Sequence, residues 1–466
     1  MQRIPKSIFK AYDIRGIVPT EIDTGVAYTL GRTFATLLLK RNPNKKLKIA
    51  VGGDMRLTTP ELKTYFMNGA ADVGIDVDDF GMVSTPTFYF GVGFFEYDGG
   101  AQVTASHNPK EWNGFKVVGP RASPIGRDTG IIEMQQMIEH RALAQFVDGA
   151  SKGTIRGRGD ILQRAVVEQH GPPPQPGKIS PIKEYKIAID TGNGMGAEDM
   201  RELFKMLPCQ IVWMNEKPDG TFPAHPADPM VDSNTRELRQ AIVKNKCDLG
   251  IASDGDGDRY FFFDEKGEAV PQEILRGVIA QIELERHPRA KIVHDVRPGK
   301  ITTDLIVQSG GTPVISPVGH SLMKETMLAE DAVFGGESSG HFFYKLPYGT
   351  FEAPFVLVTR FLEYISKLDK PLSEIVAPNR LYANSGEINT RLESREKGLA
   401  VIETIKRAYA GGKQHFIDGL SIEFPDFWFS VRLSNTEPLI RLIVESPERA
   451  IMEQKRDEIL ALIQVA

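Results

Sequence analysis

Short apolar segments that lead directly into loops of glycine, aspartate and asparagine recur along the chain up to about residue 375. Three of them stand at residues 47–51, 187–190 and 249–252, and each is followed at once by such a loop. Apolar runs of this length are typical of buried strands, whereas the apolar stripe over residues 26–38 is typical of a helix. Strands that alternate with helices form sheets covered by helices. We therefore predict strand–loop–helix units arranged in repeated α/β domains.

The last part of the chain has a different pattern. Residues 420–424 and 427–432 are two predicted strands joined through Pro425-Asp426, residues 439–444 are a third, and a helix is expected from about Glu448. Successive strands followed by a helix indicate an α+β module, with helices on one face of a sheet. A chain of 466 residues suggests roughly three domains on length alone.

Composition excludes several classes of partner. The net charge of −5 and a pI of about 6.1 give no general attraction to nucleic acid or to an anionic membrane. The two cysteines, Cys209 and Cys247, form no disulfide framework, which favours a reducing cytoplasm. The N-terminus lacks the apolar stretch of a signal peptide, and no apolar run approaches transmembrane length. We expect a cytoplasmic protein with no nucleic-acid or membrane partner.

Residues 254–259 read Asp-Gly-Asp-Gly-Asp-Arg and follow a predicted strand. Alternate positions place the three carboxylates on one side of an extended backbone, and the glycines allow them to converge. Like charges this close repel each other unless a cation lies among them. Oxygen ligands without His or Cys favour Mg²⁺ over Ca²⁺ or Mn²⁺. The alternative is a polar surface turn, and the bidentate Glu of an EF-hand loop is missing.

Residues 104–109 read Thr-Ala-Ser-His-Asn-Pro and follow a short predicted strand at residues 99–103. Ser106 stands between small residues in this loop, with His107 beside it. A serine hydrolase is disfavoured because the Gly-x-Ser-x-Gly elbow is absent. The other alternative is a plain Ser/Asn/Pro turn.

These two loops and two later ones resemble the motifs of the α-D-phosphohexomutase superfamily, in the family's order and over essentially the whole chain. Residues 104–109 resemble its phosphoserine loop, and residues 254–259 resemble its metal loop. Residues 335–341, Gly-Gly-Glu-Ser-Ser-Gly-His, resemble its sugar-binding loop. Residues 432–438, Arg-Leu-Ser-Asn-Thr-Glu-Pro, resemble its C-terminal phosphate-binding loop. The bacterial phosphomannomutase/phosphoglucomutase branch matches best.

The resemblance implies an α/β fold with three similar mixed α/β domains and a C-terminal α+β domain around a central active-site cleft. The expected boundaries are 1–158 for the domain with the phosphoserine loop, 159–268 for the metal loop, 269–380 for the sugar-binding loop and 381–466 for the phosphate-binding loop.

The implied activity is interconversion of hexose 1-phosphate and hexose 6-phosphate, with mannose, glucose or both as the sugar. Phospho-Ser106 would transfer the phosphoryl group through a hexose 1,6-bisphosphate, with one Mg²⁺ per chain and glucose 1,6-bisphosphate as activator. We expect hexose phosphate substrates, a monomer or weak homodimer, and a role in supplying nucleotide-sugar precursors. The alternatives are a phosphoglucosamine mutase, which Asn435 disfavours because that branch usually has Gly there, a metal-dependent sugar phosphatase and a non-catalytic sensor.

The resemblance also implies roles for individual residues. The expected catalytic residues are Ser106, His107, Lys116, Arg259 and His341. The expected substrate-binding residues are Tyr12, Arg15, Arg297, His320, Glu337, Ser339, Arg432, Ser434, Asn435 and Thr436. The expected metal ligands are the phosphoryl group on Ser106 together with Asp254, Asp256 and Asp258.

Three departures from the family's pattern concern substrate preference. Arg297 follows Asp295-Val296, where the branch usually has Lys. Arg keeps the charge but is larger and forked, which changes the contact geometry. Residues 348–354 replace an acidic pair followed by Gly, and Ala224 stands where Asn is common.

Overall fold

The computed structural model describes residues 4–145, 151–171, 181–297, 299–434 and 439–465. Its strands are β1 (Ile14–Ile17), β2 (Lys48–Gly53), β3 (Asp76–Met82), β4 (Gly100–Val103), β5 (Trp112–Val118), β6 (Ile155–Gly157), β7 (Lys186–Asp190), β8 (Gln210–Met214), β9 (Leu249–Ser253), β10 (Tyr260–Phe263), β11 (Lys291–Asp295), β12 (Thr312–Ser316), β13 (Phe334–Gly336), β14 (Phe342–Leu346), β15 (Gly349–Glu352), β16 (Ala383–Asn384), β17 (Ile388–Arg391), β18 (Lys413–His415), β19 (Leu420–Glu423), β20 (Trp428–Leu433) and β21 (Leu439–Ser446). Its α-helices are α1 (Thr24–Arg41), α2 (Thr59–Ala71), α3 (Thr85–Phe94), α4 (Ile132–Glu139), α5 (Ile161–His170), α6 (Gly196–Phe204), α7 (Arg236–Asn245), α8 (Gln272–Arg286), α9 (Lys300–Gln308), α10 (His320–Glu330), α11 (Pro354–Leu368), α12 (Leu372–Val376), α13 (Arg395–Ala408) and α14 (Arg449–Val465). Within the described ranges, no helix combines the length and the apolar character needed to cross a membrane.

The chain divides into two compact units, which are residues 1–270 with 339–373, and residues 271–338 with 374–466. The first unit contains a six-stranded sheet in the order β1-β5-β4-β2-β3-β6 and a four-stranded sheet in the order β10-β9-β7-β8. Both sheets are parallel in the middle and antiparallel at one edge. The alternation of strands and helices predicted from the sequence is confirmed here, and the boundaries predicted for the four domains stay a prediction.

The prediction that every unit has a helix after its loop is wrong for the Asp loop. The strand β10 follows that loop and pairs with β9 in antiparallel register, with Tyr260 opposite Ser253. Residues 260–263 read Tyr-Phe-Phe-Phe, and aromatic residues favour a pleated, buried strand. The loop at residues 254–259 is therefore held at both ends by one β-hairpin.

Helices α1 and α2 cross at very short range because glycine stands at both contact points. A Cβ atom on Gly31 would lie 1.9 Å from the Phe66 carbonyl oxygen, and one on Gly69 would lie 2.1 Å from that of Tyr28. Phe66 in turn stacks on Phe115 of β5, with ring centroids 5.1 Å apart. This packing fixes β5, the strand that carries Lys116.

In the second unit, β12, β11 and β13 form a parallel sheet, and β16 to β21 form an antiparallel sheet in the order β16-β21-β20-β19-β18 with β17 beside β21. The strands predicted at residues 420–424, 427–432 and 439–444 are confirmed as β19, β20 and β21. Helix α13 contacts β20, α14 contacts β21, and the two helices contact each other. The predicted α+β module with helices on one face is therefore confirmed.

Glu445 on β21 makes the stability of the second unit depend on pH. Its carboxylate is 1% exposed and accepts hydrogen bonds from Asn384 Nδ2 at 2.9 Å and from the Lys300 amide at 3.3 Å. Burial, reinforced by the charge of Glu273, raises the pKa of Glu445 to about 7. Because the native state then holds a proton that the unfolded state releases near pH 4, stability falls as pH rises through this window.

The substitution Glu445→Gln, which imitates the uncharged acid, should remove this dependence. Urea denaturation measures the unfolding free energy of E445Q and of wild type at each pH. We expect the wild type to lose about 3 kcal/mol relative to E445Q between pH 4 and pH 8. The matched control is E423Q, which changes an exposed Glu on β19 of the same sheet. A difference between E445Q and wild type that stays constant over this range would contradict the prediction.

Candidate active site

The two loops singled out in the sequence lie against each other in the first unit. The Ser loop connects β4 to β5, and the Asp loop connects β9 to β10. A Cβ atom on Gly255 would lie 2.5 Å from the carbonyl oxygen of Ser106, so only glycine permits this approach. The seryl and aspartyl side chains are thereby brought to one place from positions 148 residues apart.

Ser106 is held in a strained conformation with its hydroxyl aimed at the Asp loop. Its φ angle is 51°, in the left-handed region that residues other than glycine rarely adopt. The Ser106 amide donates a hydrogen bond to the Thr104 hydroxyl at 2.9 Å. The Ser106 hydroxyl donates to Asp254 Oδ2 at 2.8 Å and lies 3.2 Å from His107 Nδ1. Such backbone strain persists at functional sites where the surroundings enforce it.

The three aspartates of the Asp loop are buried and converge. Asp254, Asp256 and Asp258 are 0 to 2% exposed, and their carboxylate oxygens lie within 4.8 Å of one another. Burial and the neighbouring charges of Asp258 and Asp256 raise the pKa of Asp254 well above its usual range. Burial also opposes ionisation of Asp258, but the charges of Lys116 and His341 outweigh it and lower its pKa well below the usual range.

Positive groups surround this cluster. Lys116 Nζ donates to Asp256 Oδ2 at 2.7 Å and to Asp258 Oδ2 at 2.6 Å. Burial disfavours the ammonium group, yet the charges of Asp256 and Asp258 raise the pKa of Lys116 well above its ordinary value. His341 Nε2 lies 3.2 Å from Asp258 Oδ1 and its Nδ1 lies 2.9 Å from the Ser339 hydroxyl. These contacts place Lys116 and His341 directly against the carboxylate cluster, with Ser339 bonded to His341.

The cluster fits a hard divalent cation. Its ligand atoms are all carboxylate oxygens, the set that Mg²⁺ prefers. Asp256 Oδ1 is buried and makes no hydrogen bond within the described residues. A buried acceptor of this kind needs a partner, and a cation among Asp254, Asp256 and Asp258 would supply one.

Two further cations reach the Ser loop. Arg259 Nε lies 3.7 Å from Asp254 Oδ2, and its charge, together with burial, lowers the pKa of His107 well below the usual range. His107 is therefore neutral near pH 7. Arg15 donates to the Ala105 carbonyl at 3.2 Å and to Asn108 Oδ1 at 2.6 Å.

Tyr12, also expected to bind substrate, lies half-buried in the loop before β1.

A second group of expected residues lies at the carboxyl ends of the parallel strands of the second unit. Arg297 donates to Asp295 Oδ2 through Nε at 2.9 Å and through Nη2 at 2.5 Å. Glu337, which is 1% exposed, accepts a hydrogen bond from the Gly319 amide at 2.8 Å. His320 begins α10 directly after that glycine. The ends of parallel strands are where α/β sheets bind ligands.

Two of the four residues expected to bind a phosphate, Arg432 and Ser434, lie within the described residues. Arg432 is the penultimate residue of β20 and is 4% exposed, with Nη2 2.8 Å from Glu387 Oε2 and Nη1 4.0 Å from Asp418 Oδ2. The Ser434 amide donates to the Leu439 carbonyl at 2.9 Å. Asn435 and Thr436 lie outside the described residues.

Three residues near the cluster escape prediction from the sequence. The Thr85 hydroxyl donates to Asp256 Oδ2 at 2.6 Å from 171 residues away. A carboxylate oxygen of Glu352 lies within 4.8 Å of ligand atoms of Asp258 and His341. Arg56 binds the backbone of the Ser loop. Of these, only Arg56 carries a local signal, because it follows the Gly-Gly-Asp sequence at the end of β2.

Comparison with known proteins identifies the family to which the chain is similar. The chain matches the phosphoglucomutase/phosphomannomutase alpha/beta/alpha domain I at residues 6–142, domain II at 177–267, domain III at 272–381, and the C-terminal domain at 387–462. It is 37% identical to a phosphomannomutase of Vibrio cholerae, with 98% of each chain covered, and 33% identical to a protein of Xanthomonas campestris described as "phosphohexose mutases", again with 98% of each covered.

Among solved structures, a phosphoglucomutase/phosphomannomutase family protein of Burkholderia thailandensis superposes with a TM-score of 0.89 at 28% identity, over 99% of this chain and 98% of that one. The four-domain architecture expected from the sequence is thereby confirmed. Because the similarity in sequence and in fold extends over the whole length, this chain belongs to the phosphoglucomutase/phosphomannomutase family and is an isomerase of the phosphotransferase mutase class.

Proposed function

We propose that this enzyme interconverts the 1-phosphate and the 6-phosphate of mannose, glucose or both, and that Ser106 carries the phosphoryl group between them. One observation carries the proposal: the Ser106 hydroxyl donates to Asp254 at 2.8 Å, at the edge of a buried cluster of three carboxylates and Lys116. The relatives described as phosphomannomutases support mannose as one of the sugars.

The transfer conserves atoms and charge. The bond from phosphorus to the Ser106 oxygen breaks while a bond from phosphorus to a sugar oxygen forms, and the proton of that sugar hydroxyl passes to the enzyme and then to the Ser106 oxygen. Repeating the step in reverse on the other end of a hexose 1,6-bisphosphate completes the isomerisation. Positioning and charge neutralisation dominate such transfers. Glucose 1,6-bisphosphate is the expected activator because it can phosphorylate Ser106 directly.

Each side chain around Ser106 has a distinct task. Asp254, Asp256 and Asp258 would hold Mg²⁺, which when bound polarises phosphoryl oxygens as a Lewis acid. Arg259 lies where it can neutralise charge on the phosphoryl group. His341, beside Asp258, is the group placed to take and return the proton. Lys116, held protonated by Asp256 and Asp258, would bind the phosphoryl group.

We propose further residues as binders of the sugar and its other phosphate. Arg432 offers a guanidinium fork suited to a phosphate dianion, with Ser434, Asn435 and Thr436 as further donors. Glu337 and Ser339 would bind sugar hydroxyls, while Arg297 and His320 would contact the substrate. Tyr12 and Arg15 complete the proposed set.

We further predict a monomer or weak homodimer in the cytoplasm.

³¹P NMR tests the proposed reaction. The protein with Mg²⁺ and a trace of glucose 1,6-bisphosphate is offered mannose 1-phosphate, glucose 1-phosphate and glucosamine 1-phosphate in separate samples. We expect a 6-phosphate signal to grow with mannose, glucose or both, and the initial rates rank the sugars. A signal from glucosamine alone would replace the proposal with a phosphoglucosamine mutase, and inorganic phosphate as the only product would replace it with a phosphatase.

A further inference from the structure

Arg56 is a buried arginine that the proposed reaction does not use and that nonetheless contacts the Ser loop throughout. It follows β2 and is 1% exposed. Its Nε donates to Asp54 Oδ2 at 3.2 Å, Nη1 donates to the carbonyls of Pro109 and Trp112, and Nη2 donates to those of Ser106 and Asn108. A guanidinium has five N–H donors, so every donor of this side chain is used.

The four backbone acceptors lie in one continuous stretch of chain, formed by the Ser loop and the first residue of β5. The distances are 2.8 Å for Ser106, 2.6 Å for Asn108, 2.7 Å for Pro109 and 2.9 Å for Trp112. A single planar group thus sets the path of the chain from Ser106 to the start of β5. The Ser106 carbonyl is one of those held, and Ser106 has the left-handed φ of 51°. The guanidinium therefore stabilises the strained conformation that aims the Ser106 hydroxyl at Asp254.

The surroundings of Arg56 fix it in turn. The Asp54 carboxylate accepts from the Arg56 amide at 3.0 Å and from the Thr59 hydroxyl at 2.7 Å. The ring of Phe222 lies across the guanidinium, with its centroid 5.1 Å away. Lysine could replace the charge but not the fork, because an ammonium has three donors on one atom.

We propose that Arg56 is a positioning residue, which holds Ser106 in the geometry that accepts and delivers the phosphoryl group. The inference rests on the proposed function, since it assigns Arg56 a part in that reaction through Ser106. Because all five N–H donors of Arg56 are bonded to protein acceptors, its loss should slow transfer without weakening sugar binding.

The variants R56K and R56A test this role. For R56K we expect kcat to fall about 100-fold, the effect of misplacing a reacting group by about 1 Å, with KM for hexose 1-phosphate within about threefold of wild type. Phosphorylation of Ser106 by glucose 1,6-bisphosphate, followed by intact-protein mass spectrometry, should slow in parallel. Guanidinium ions should restore part of the activity of R56A, whereas methylammonium ions should not.

The control is V77A, which removes methyl groups from a fully buried position on β3 and should lower the melting temperature without changing kcat. The proposal is overturned if R56K transfers the phosphoryl group at the wild-type rate, or if R56K does not fold. It is also overturned if V77A, at the same loss of stability as R56K, loses as much kcat as R56K does. It is also overturned if methylammonium restores R56A as well as guanidinium does. If the proposed function itself is wrong, S106A retains the isomerisation rate of wild type. If only the role of Arg56 is wrong, S106A is inactive and R56K is not slowed.

Discussion

Ser106→Ala should abolish the isomerisation, lowering kcat by at least about 1,000-fold, the loss typical of removing an enzyme's nucleophile. The reason is chemical, since alanine offers no oxygen to receive the phosphoryl group. The fold should persist because the hydroxyl makes one hydrogen bond to Asp254 and contacts His107, and such a bond contributes about 1 kcal/mol. Initial rates with mannose 1-phosphate and glucose 1-phosphate measure the effect.

The control for this variant is S233A, which changes an exposed serine of the same unit and should leave the rate unchanged. Residual isomerisation by S106A within tenfold of wild type would contradict a phosphoserine intermediate. Circular dichroism of S106A should match wild type, so that a lost fold is not mistaken for lost chemistry.

Lys116→Met should have the second large effect, a loss of stability. Lys116 is 2% exposed and bonds two of three converging carboxylates. Removing one partner from a buried ion pair leaves uncompensated charge and costs about 3–5 kcal/mol. We expect urea denaturation of K116M in EDTA to show this loss, and added Mg²⁺ to restore part of it, because a ligand of the native state stabilises it.

The control is K63M. In the wild type the Lys63 ammonium lies 2.6 Å from a carboxylate oxygen of Asp79, and the Asp79 side chain is 27% exposed. A partly solvated pair of this kind contributes about 0–1 kcal/mol, and the stability of K63M should not respond to Mg²⁺. If K116M in EDTA is as stable as wild type, the three carboxylates are not the mutually repelling cluster described here.

The acidic cluster could be predicted from the sequence because its three aspartates belong to one short contiguous motif. Alternate positions place such aspartates on one side of an extended backbone, and the glycines allow them to converge. In the structure, one carboxylate oxygen from each of Asp254, Asp256 and Asp258 lies within 4.8 Å of the others. The strands of the C-terminal module were predictable for a similar reason, since apolar runs between turn residues determine them locally. The helix expected after the Asp loop was not formed, because residues 260–263 pair with β9 instead.

The supporting residues could not be predicted because their partners are distant in sequence. Thr85 meets Asp256 across 171 residues, and Arg56 meets Ser106 across 50. Thr85 carries no local mark of its contact, and the Gly-Gly-Asp sequence before Arg56 indicates the end of a strand but not the partner, since each contact arises only when separate segments pack together. The roles expected for Asn435 and Thr436, which lie outside the described residues, stay predictions.

The most direct test of the account is to locate the phosphoryl group on the protein. The enzyme is incubated with glucose 1,6-bisphosphate and Mg²⁺, examined by intact mass and by peptide fragmentation, and then mixed with hexose 6-phosphate. We predict one phosphoryl group per chain, on Ser106, that leaves with the sugar as hexose bisphosphate. Isomerisation at the full rate with no phosphoryl group ever found on Ser106 would show that Ser106 does not carry it.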